Sequence, residues 1–492
     1  MGEFQVNEKD ENVSWQAIDY CGPDPDLEDK ATKRETSKEM GYQTSDNQGG
    51  VLDASVEEVF GPLYKGLLNL KQPQKIVAET LRQSGPTLDQ MYLGNGLLAT
   101  ADMGVVILAG STIGGGSTIN WSASIKTPEH VLREWSKFHE LELFQRKLYK
   151  EALDVVYHRM GVQSDIHKEG FNNMVLRKGC QELGYPVNTI PRNSPPDHYC
   201  GWCCLGCKDG KKKGTSETWL VDLVNSGNGV IHPQCEAIKV LHRRKQGRGR
   251  STATGVAFEF DHDGIKQICV VESKVTIAAC GALCTPAFLK KSGLKNPNIA
   301  KTSIFILYVL FVNAMGVWHG HKSTNVQVLK NRTRFRACCS GELNSTSSIS
   351  YKMDECDEQN LQKGLEKVLR ILAAAGAEEI GTHHYKGKTL KVKEVSYHEY
   401  ERFVKEESSR GLRDLSTPIC SAHQRGSCRM GVDPKVSAVN PLGETWEVEG
   451  LYVADSSVFP TALGVNPMVT VPAIAYCTAQ SVLDVLRRKE RY

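Results

Sequence analysis

A short apolar strand that runs directly into a glycine-rich loop constrains the fold of this chain more than any other segment. Residues 105–109 are apolar, and residues 110–118 follow with the sequence GSTIGGGST. Clustered glycines let the backbone approach a ligand closely and turn its N–H groups toward an anion. Later strands alternate with glycine loops and helices, which is typical of an α/β nucleotide-binding core. Taken by itself, the loop is also compatible with a plain tight turn.

Length, charge and cysteine content narrow the class of protein. The chain has 492 residues, beyond the size at which single hydrophobic cores stop growing, so two or more domains are expected. The formal charge of +3 gives no indication of a nucleic-acid partner. Residues 1–46 are polar and contain no signal peptide, so most of the 16 cysteines are expected to be reduced. The longest apolar stretch, residues 304–312, is shorter than the about 20 residues that a transmembrane helix needs.

Local patterns predict most of the regular elements. Apolar spacing predicts helices over residues 55–82, 358–374 and 471–487, and strands over residues 105–109, 256–260, 270–279 and 451–454. One more helix is predicted to begin at Pro128, with Thr127 as its N-cap, because proline is favoured at the first helical position.

Three segments resemble the signatures of one enzyme family. The glycine loop with NWSA at 120–123 and KTP at 126–128, GALCTP at 281–286 followed by SGL at 292–294, and SAHQRGSCRMG at 421–431 stand in the expected order. They are similar to the signature segments of the glucose–methanol–choline (GMC) FAD-dependent oxidoreductases, and within that family to the plant long-chain fatty alcohol oxidases. The resemblance implies FAD as cofactor and an α/β FAD-binding domain with a substrate domain built on an antiparallel sheet, α+β overall.

The resemblance also implies which residues contact the cofactor. The first two signatures and the strand–turn at 451–455 pack against FAD in the family. The positions that match are Gly110, Gly114, Gly115, Gly116, Ser117, Asn120, Gly281, Asp455 and Pro467.

Two further positions match the catalytic pair of the family. His423 lies in the active-site histidine segment, and histidine suits a general base because its ordinary pKa of about 6.5 is near working pH. Asn466 stands where the family has His or Asn, and an amide can support the developing alkoxide by hydrogen bonding. The implied reaction oxidises a long-chain primary alcohol to the aldehyde, with O2 re-oxidising FAD and giving H2O2.

A cysteine cluster follows the first signature, and two interpretations stay open. Cys200, Cys203, Cys204 and Cys207 have a spacing that resembles metal or iron–sulfur ligation. One compact cluster without a distant matching pair does not support a zinc ribbon. The alternatives are a structural thiol cluster and a ligand set that passes electrons in a dehydrogenase.

The sequence lacks a unit that the family normally carries. No GxGxxG turn precedes Gly110, and Gly94-Asn95-Gly96 leads to no predicted helix. The resemblance covers about residues 86–300 and 351–489, while residues 1–85 and 319–350 are expected to lie outside it. Without the first βαβ unit, strand edges are unpaired and FAD affinity is expected to fall. A non-catalytic family remnant that binds no flavin is therefore the alternative function.

The expected organisation follows from these segments. Residues 1–53 form a disordered or unrelated leader and 54–95 a helical segment. The FAD-binding domain takes residues 96–135, 228–300 and 418–492, and the substrate domain takes 136–227 and 301–417. The family resemblance implies association with an intracellular membrane, and the oligomeric state is left open.

Overall fold

The computed structural model describes residues 90–489, with gaps. The gaps are residues 97, 168, 199–202, 208–209, 233–234, 245–248, 263–264, 301–307, 310–311, 316–323, 327–340, 346–347, 352, 354, 383, 413–415 and 418. The predicted leader and the helix predicted over residues 55–82 lie outside the described residues. None of the described helices is long and apolar enough to cross a membrane.

Helices and strands alternate along the described part of the chain. The helices are α1 (Gly116–Ile119), α2 (Glu129–Lys137), α3 (Lys147–Arg159), α4 (Phe171–Glu182), α5 (Trp219–Asn225), α6 (Gly281–Lys291), α7 (Glu355–Ala374), α8 (Tyr397–Ser408) and α9 (Thr470–Lys489). The strands are β1 (Val106–Ile107), β2 (Cys235–Arg243), β3 (Ser251–His262), β4 (Ile265–Glu272), β5 (Thr276–Ala278), β6 (Tyr308–Val309), β7 (Val312–Met315), β8 (Thr324–Val326), β9 (Gly341–Ser345), β10 (Ser348–Tyr351), β11 (Glu379–Thr382), β12 (Thr389–Lys391), β13 (Ile419–Ser421), β14 (Val448–Glu449) and β15 (Leu451–Val453).

Two parallel strand pairs place the signature segments. Strand β1 pairs in parallel with β13, and β5 pairs in parallel with β15. Gly110, His423, Gly281 and Asp455 each follow the carboxyl end of one of these four strands within three residues. In α/β sheets, ligands bind in the crevice outside the carboxyl ends of parallel strands. The pairing therefore puts the predicted site residues where this fold class binds ligands.

Antiparallel pairing accounts for the remaining sheets. Strands β2, β3 and β4 form a meander, and β14 adds to β3 in parallel. A separate sheet has the order β12-β11-β7-β8 with antiparallel neighbours throughout. This second sheet lies within residues 312–391. An antiparallel sheet is therefore present in the segment where the substrate domain was predicted.

Several predicted boundaries differ from the structure. Strand β1 is shorter than the strand predicted over residues 105–109, and β3 is longer than the one predicted over residues 256–260. Two further differences change how an element is described. The strand predicted over residues 270–279 is two strands, because β4 ends at Glu272 and β5 begins at Thr276 in a different sheet. A turn at Ser273 separates them, closed by a 2.8 Å hydrogen bond between the Ser273 and Thr276 hydroxyls. Helix α2 has Pro128 as its N-cap, not as its first residue, and the side chain of Thr127 caps nothing. Its hydroxyl instead bonds the hydroxyl of Tyr149 at 2.7 Å.

Two large buried apolar clusters form most of the core among the described residues. In the first, the ring of Trp135 packs against those of Phe144 and Phe459, with centroids 4.6 and 5.7 Å apart, and α3 packs against α9. The second cluster lies where α4 and α7 pack together beside β1. Each cluster takes residues from both predicted domains. The first joins Leu153 of the predicted substrate domain to Trp135 and Phe459 of the predicted FAD-binding domain. The second joins Ile107 of the predicted FAD-binding domain to α4 and α7 of the predicted substrate domain. The division into two domains stays a prediction.

Candidate active site

The glycine loop combines two kinds of glycine. Gly114 and Gly115 have positive φ angles of 85° and 55°, which only glycine adopts readily. A Cβ at Gly110 would lie 2.8 Å from the Gly115 backbone, and one at Gly114 would collide with the Thr118 hydroxyl. A Cβ at Gly115 or Gly116 would meet nothing within 4 Å. The first two glycines therefore serve the packing of the loop, and the last two face open space.

Asn120 ends the loop with an unsatisfied side chain. Its backbone N–H donates to the Gly116 carbonyl at 2.9 Å, which closes the four-residue helix α1. Both polar atoms of its side-chain amide are buried and have no hydrogen-bond partner among the described residues. Such groups are rare and costly, so each requires an explanation. A polar ligand above the loop would supply the missing partners.

Ser117 uses its hydroxyl within the protein. The hydroxyl donates to the Gly114 carbonyl at 2.8 Å and accepts from the Thr215 N–H at 2.8 Å. The structure therefore gives this predicted cofactor contact a part in shaping the loop, and its contact with FAD stays a prediction.

Gly281 and Asp455 are joined across the second strand pair. The Asp455 carboxylate is buried and accepts the Gly281 N–H at 2.9 Å and the Thr285 hydroxyl at 2.5 Å. Its other oxygen accepts the Ser457 N–H at 2.7 Å. A carboxylate at the N-terminus of α6 is favourable to the helix dipole. Gly281 has a φ of 82° and open space where a Cβ would stand, so the backbone here is accessible to a ligand.

His423 is held in a neutral state. It is half-buried, two residues beyond β13, and its carbonyl accepts from Arg425 Nε at 3.2 Å. Burial and, secondly, the positive charge of Arg425 lower the pKa of His423 from 6.5 to about 3. Because the first signature follows β1 and β1 pairs in parallel with β13, His423 and the glycine loop lie at the same end of this strand pair. A neutral imidazole is the form that accepts a proton.

Asn466 is bound to the segment that follows the glycine loop. Its amide nitrogen donates to the Ala123 carbonyl, and its amide oxygen accepts from the Ile125 N–H at 3.4 Å. The Pro467 carbonyl accepts the Val471 N–H at 3.0 Å, which starts the hydrogen bonding of α9. The structure thus brings Asn466 to the loop flank, and its contact with a substrate oxygen stays a prediction.

The described cysteines form no metal site. The Cys207 sulfur accepts the Lys212 N–H at 3.1 Å and lies 3.9 Å from His198 Nε2. In the described part of the chain, no group of three or more His, Cys, Asp or Glu side chains is placed to hold a metal ion. Cys200, the first member of the predicted cluster, lies outside the described residues.

Two sets of residues that shape the site carry no recognisable motif in the sequence. The hydroxyls of Thr127, Tyr149 and Thr470 are linked at 2.7 and 2.8 Å and tie α9 to the segment after the loop. Lys212 is buried and reaches the loop from the cysteine-rich segment. The only sequence signal for it is a run of three lysines, residues 211–213, in which nothing distinguishes the middle one.

The comparisons with known proteins show what this chain is similar to. The family model of the GMC oxidoreductases matches residues 88–305 with its N-terminal part and 342–475 with its C-terminal part. Long-chain-alcohol oxidase FAO4A of Arabidopsis thaliana is 45% identical over 99% of this chain and 82% of its own length. Long-chain-alcohol oxidase FAO3 of the same plant is 37% identical over 81% of this chain and 62% of its own length.

Solved structures share the fold at low identity. Pyridoxine 4-oxidase from Mesorbium loti superposes with a TM-score of 0.54 and 14% identity, over 78% of this chain and 87% of that one. Formate oxidase from Aspergillus oryzae RIB40, in a variant studied for FAD modification, superposes with a TM-score of 0.54 and 13% identity. The superposition covers 78% of this chain and 85% of that one.

The extent of these matches refines the sequence analysis. Residues 1–85 and 319–350 were expected to lie outside the resemblance, and this expectation is wrong, because the alignment with the first Arabidopsis relative includes 99% of the chain. It runs over 612 positions, more than the 492 residues here, so the relative carries segments that this chain lacks. The chain spans less than two thirds of FAO3, at 62%. Because the two family matches cover most of the described residues, this chain belongs to the GMC oxidoreductases.

Proposed function

We propose that this chain is an FAD-dependent oxidase that converts long-chain primary alcohols to aldehydes, with O2 as the final electron acceptor and H2O2 as the second product. The observation that carries the proposal is the position of Gly110, His423, Gly281 and Asp455, each of which follows the carboxyl end of a strand in one of two parallel strand pairs. The names of the two Arabidopsis relatives supply the class of substrate.

The residues at the glycine loop fit a flavin. The buried amide of Asn120 has no hydrogen-bond partner for either polar atom among the described residues, and the backbone at Gly115, Gly116 and Gly281 faces open space. When bound, FAD supplies the acceptor for a hydride from the alcohol carbon. The sequence offers no GxGxxG turn for the pyrophosphate, so we expect a weaker affinity than a full-length relative would have.

The protein's own residues supply the acid–base chemistry. His423 is neutral across physiological pH and can take the hydroxyl proton of the alcohol. Asn466 fixes the Ala123–Ile125 backbone, and Asp455 fixes the start of α6. These contacts keep the loop and the strand ends in place before a ligand enters.

An absorbance spectrum tests the proposal. The purified chain is titrated with FAD, and dodecanol is then added without oxygen. Flavin bands that bleach on adding the alcohol are expected, and His423→Asn should keep the bands and slow the bleaching by about a hundredfold or more. Asn120→Ala should weaken FAD binding, whereas Asn225→Ala, on the exposed face of α5, should not. A folded chain whose flavin never bleaches would refute the oxidase assignment.

A remnant that binds no flavin is the second candidate. It is favoured by the missing phosphate loop and by the β5–β15 pair, which in the described residues is a sheet of only two strands. A folded preparation without flavin bands at any FAD concentration would establish it. The third interpretation, a dehydrogenase that uses the cysteine cluster, predicts bound iron and visible absorbance that is independent of added FAD.

Association with an intracellular membrane stays a prediction from the family resemblance. It is tested by flotation of the protein with phospholipid vesicles on a density gradient. Recovery of the chain in the lipid fraction would support the prediction, and recovery only in the dense fraction would contradict it.

A further inference from the structure

A short basic segment lies directly against the glycine loop. Residues 210–216, which we call the strap, have the sequence GKKKGTS and follow the cysteine-rich region. We propose that the strap holds the glycine loop in its ligand-ready shape and that Lys212 is a positioning residue of the flavin site. The role of Lys212 in a flavin site rests on the proposed function, but the support that the strap gives to the loop can be tested without any flavin.

The loop needs such support because its helix is very short. Helix α1 has four residues, far fewer than an isolated helix needs in water. Its last carbonyls have no partner within the helix. Lys212 Nζ donates to the carbonyls of Thr118 and Asn120, each at 2.7 Å. A cation at the C-terminus of a helix is also favoured by the helix dipole.

Lys212 also makes hydrogen bonds to the cysteine-rich region. Its third donor goes to the Cys203 carbonyl at 2.9 Å, so the ammonium group uses all three donors. Its backbone N–H donates to the Cys207 sulfur at 3.1 Å. The residue is only 2% exposed, and burying a lysine is costly unless its charge is hydrogen-bonded. This arrangement joins the cysteine-rich region to the loop through one buried side chain.

The strap has a second attachment to the loop. The Thr215 N–H donates to the Ser117 hydroxyl at 2.8 Å, and the Thr215 hydroxyl donates to the Gly114 carbonyl at 3.0 Å. Gly214 permits this approach, because a Cβ there would lie 2.9 Å from the Ser117 carbonyl oxygen. The strap therefore contacts the loop at its first turn and at its end.

The attachment at the end of the loop bears on the ligand. Lys212 holds the backbone carbonyl of Asn120, whose side-chain amide is buried and unsatisfied among the described residues. Fixing this backbone fixes the direction of the amide before FAD arrives, and preorganisation of this kind raises affinity. The cysteine-rich region acquires a positioning role that requires no metal ion.

Hydrogen exchange of the full chain without added FAD tests the proposal. The variants are Lys212→Met and Thr215→Val, and the matched control is Lys213→Met, because Lys213 is the exposed neighbour in the same strap. Both variants should exchange the amides of residues 115–120 about tenfold faster or more. The amides of α7 should exchange at the wild-type rate, and the control should match the wild type throughout.

The outcomes decide the proposal in every case. If Lys212→Met does not fold, Thr215→Val decides it alone. Unchanged exchange at residues 115–120 in a folded Lys212→Met or Thr215→Val variant would overturn the proposal, because each variant removes a side-chain bond to the loop. Where the wild type binds FAD, Lys212→Met should raise the Kd about tenfold and Lys213→Met should leave it unchanged. A chain that binds no flavin removes the proposed function but leaves the exchange result intact.

Discussion

His423 gives the protein a pH dependence that can be measured without any flavin. Its pKa is lowered from 6.5 to about 3 in the folded chain. The unfolded chain therefore binds more protons than the folded chain between these values. The contribution of His423 to stability is fully present above pH 6.5 and is lost progressively as the pH falls toward 3.

Replacing the histidine should remove this part of the acid sensitivity. We expect urea unfolding of His423→Asn to lose stability less steeply than wild type between pH 6.5 and 4, by up to about 1.4 kcal/mol per pH unit. His398→Asn, on the exposed surface of α8, serves as the control and should keep the wild-type slope. Equal slopes for His423→Asn and wild type would mean that His423 titrates normally.

At the scale of elements, the packing of α4 on α7 depends on one close approach. A Cβ added at Gly179 would collide with the Ile371 carbonyl and side chain. We expect Gly179→Ala to lower the free energy of unfolding by about 1–3 kcal/mol, because the two helices must separate. Gly411→Ala, which meets nothing within 4 Å, should change stability by less than about 0.5 kcal/mol. Urea denaturation of both variants measures the difference, and similar values for the two would contradict the packing argument.

The elements also show where sequence reasoning succeeds and where it fails. The signature segments could be placed at strand ends because glycine, proline and apolar patterns are local. The break between β4 and β5 could not be predicted in this way. Residues 270–279 are apolar on both sides of the turn, and the two strands differ only in their sheet partners. The contacts of Lys212 and Thr127 could not be predicted from the sequence for a related reason. Their partners lie 94 and 343 residues away in the chain, and no local pattern reports such contacts.

At the scale of the whole molecule, the sheet of β5 and β15 leaves apolar surface exposed. Ile277 is at the centre of β5 and is 46% exposed, although strands in α/β sheets are normally covered on both faces. We expect Ile277→Lys to reduce heat-induced aggregation, measured by light scattering, and to change the unfolding midpoint little. Val436→Lys is the control, because Val436 is 68% exposed outside any strand. Aggregation that is reduced equally by both variants would indicate a general charge effect.

The bond between Asn466 and Ala123 has a consequence for how the protein is made. The two residues are 343 positions apart. Ribosomes add about 5–20 residues per second, so the Ala123 carbonyl waits roughly 20 to 70 seconds for its partner to be synthesised. During that interval the segment after the glycine loop is a nascent chain without its closing contact. Factors that bind emerging chains therefore have a long period in which to act on the part of the protein that later forms the site.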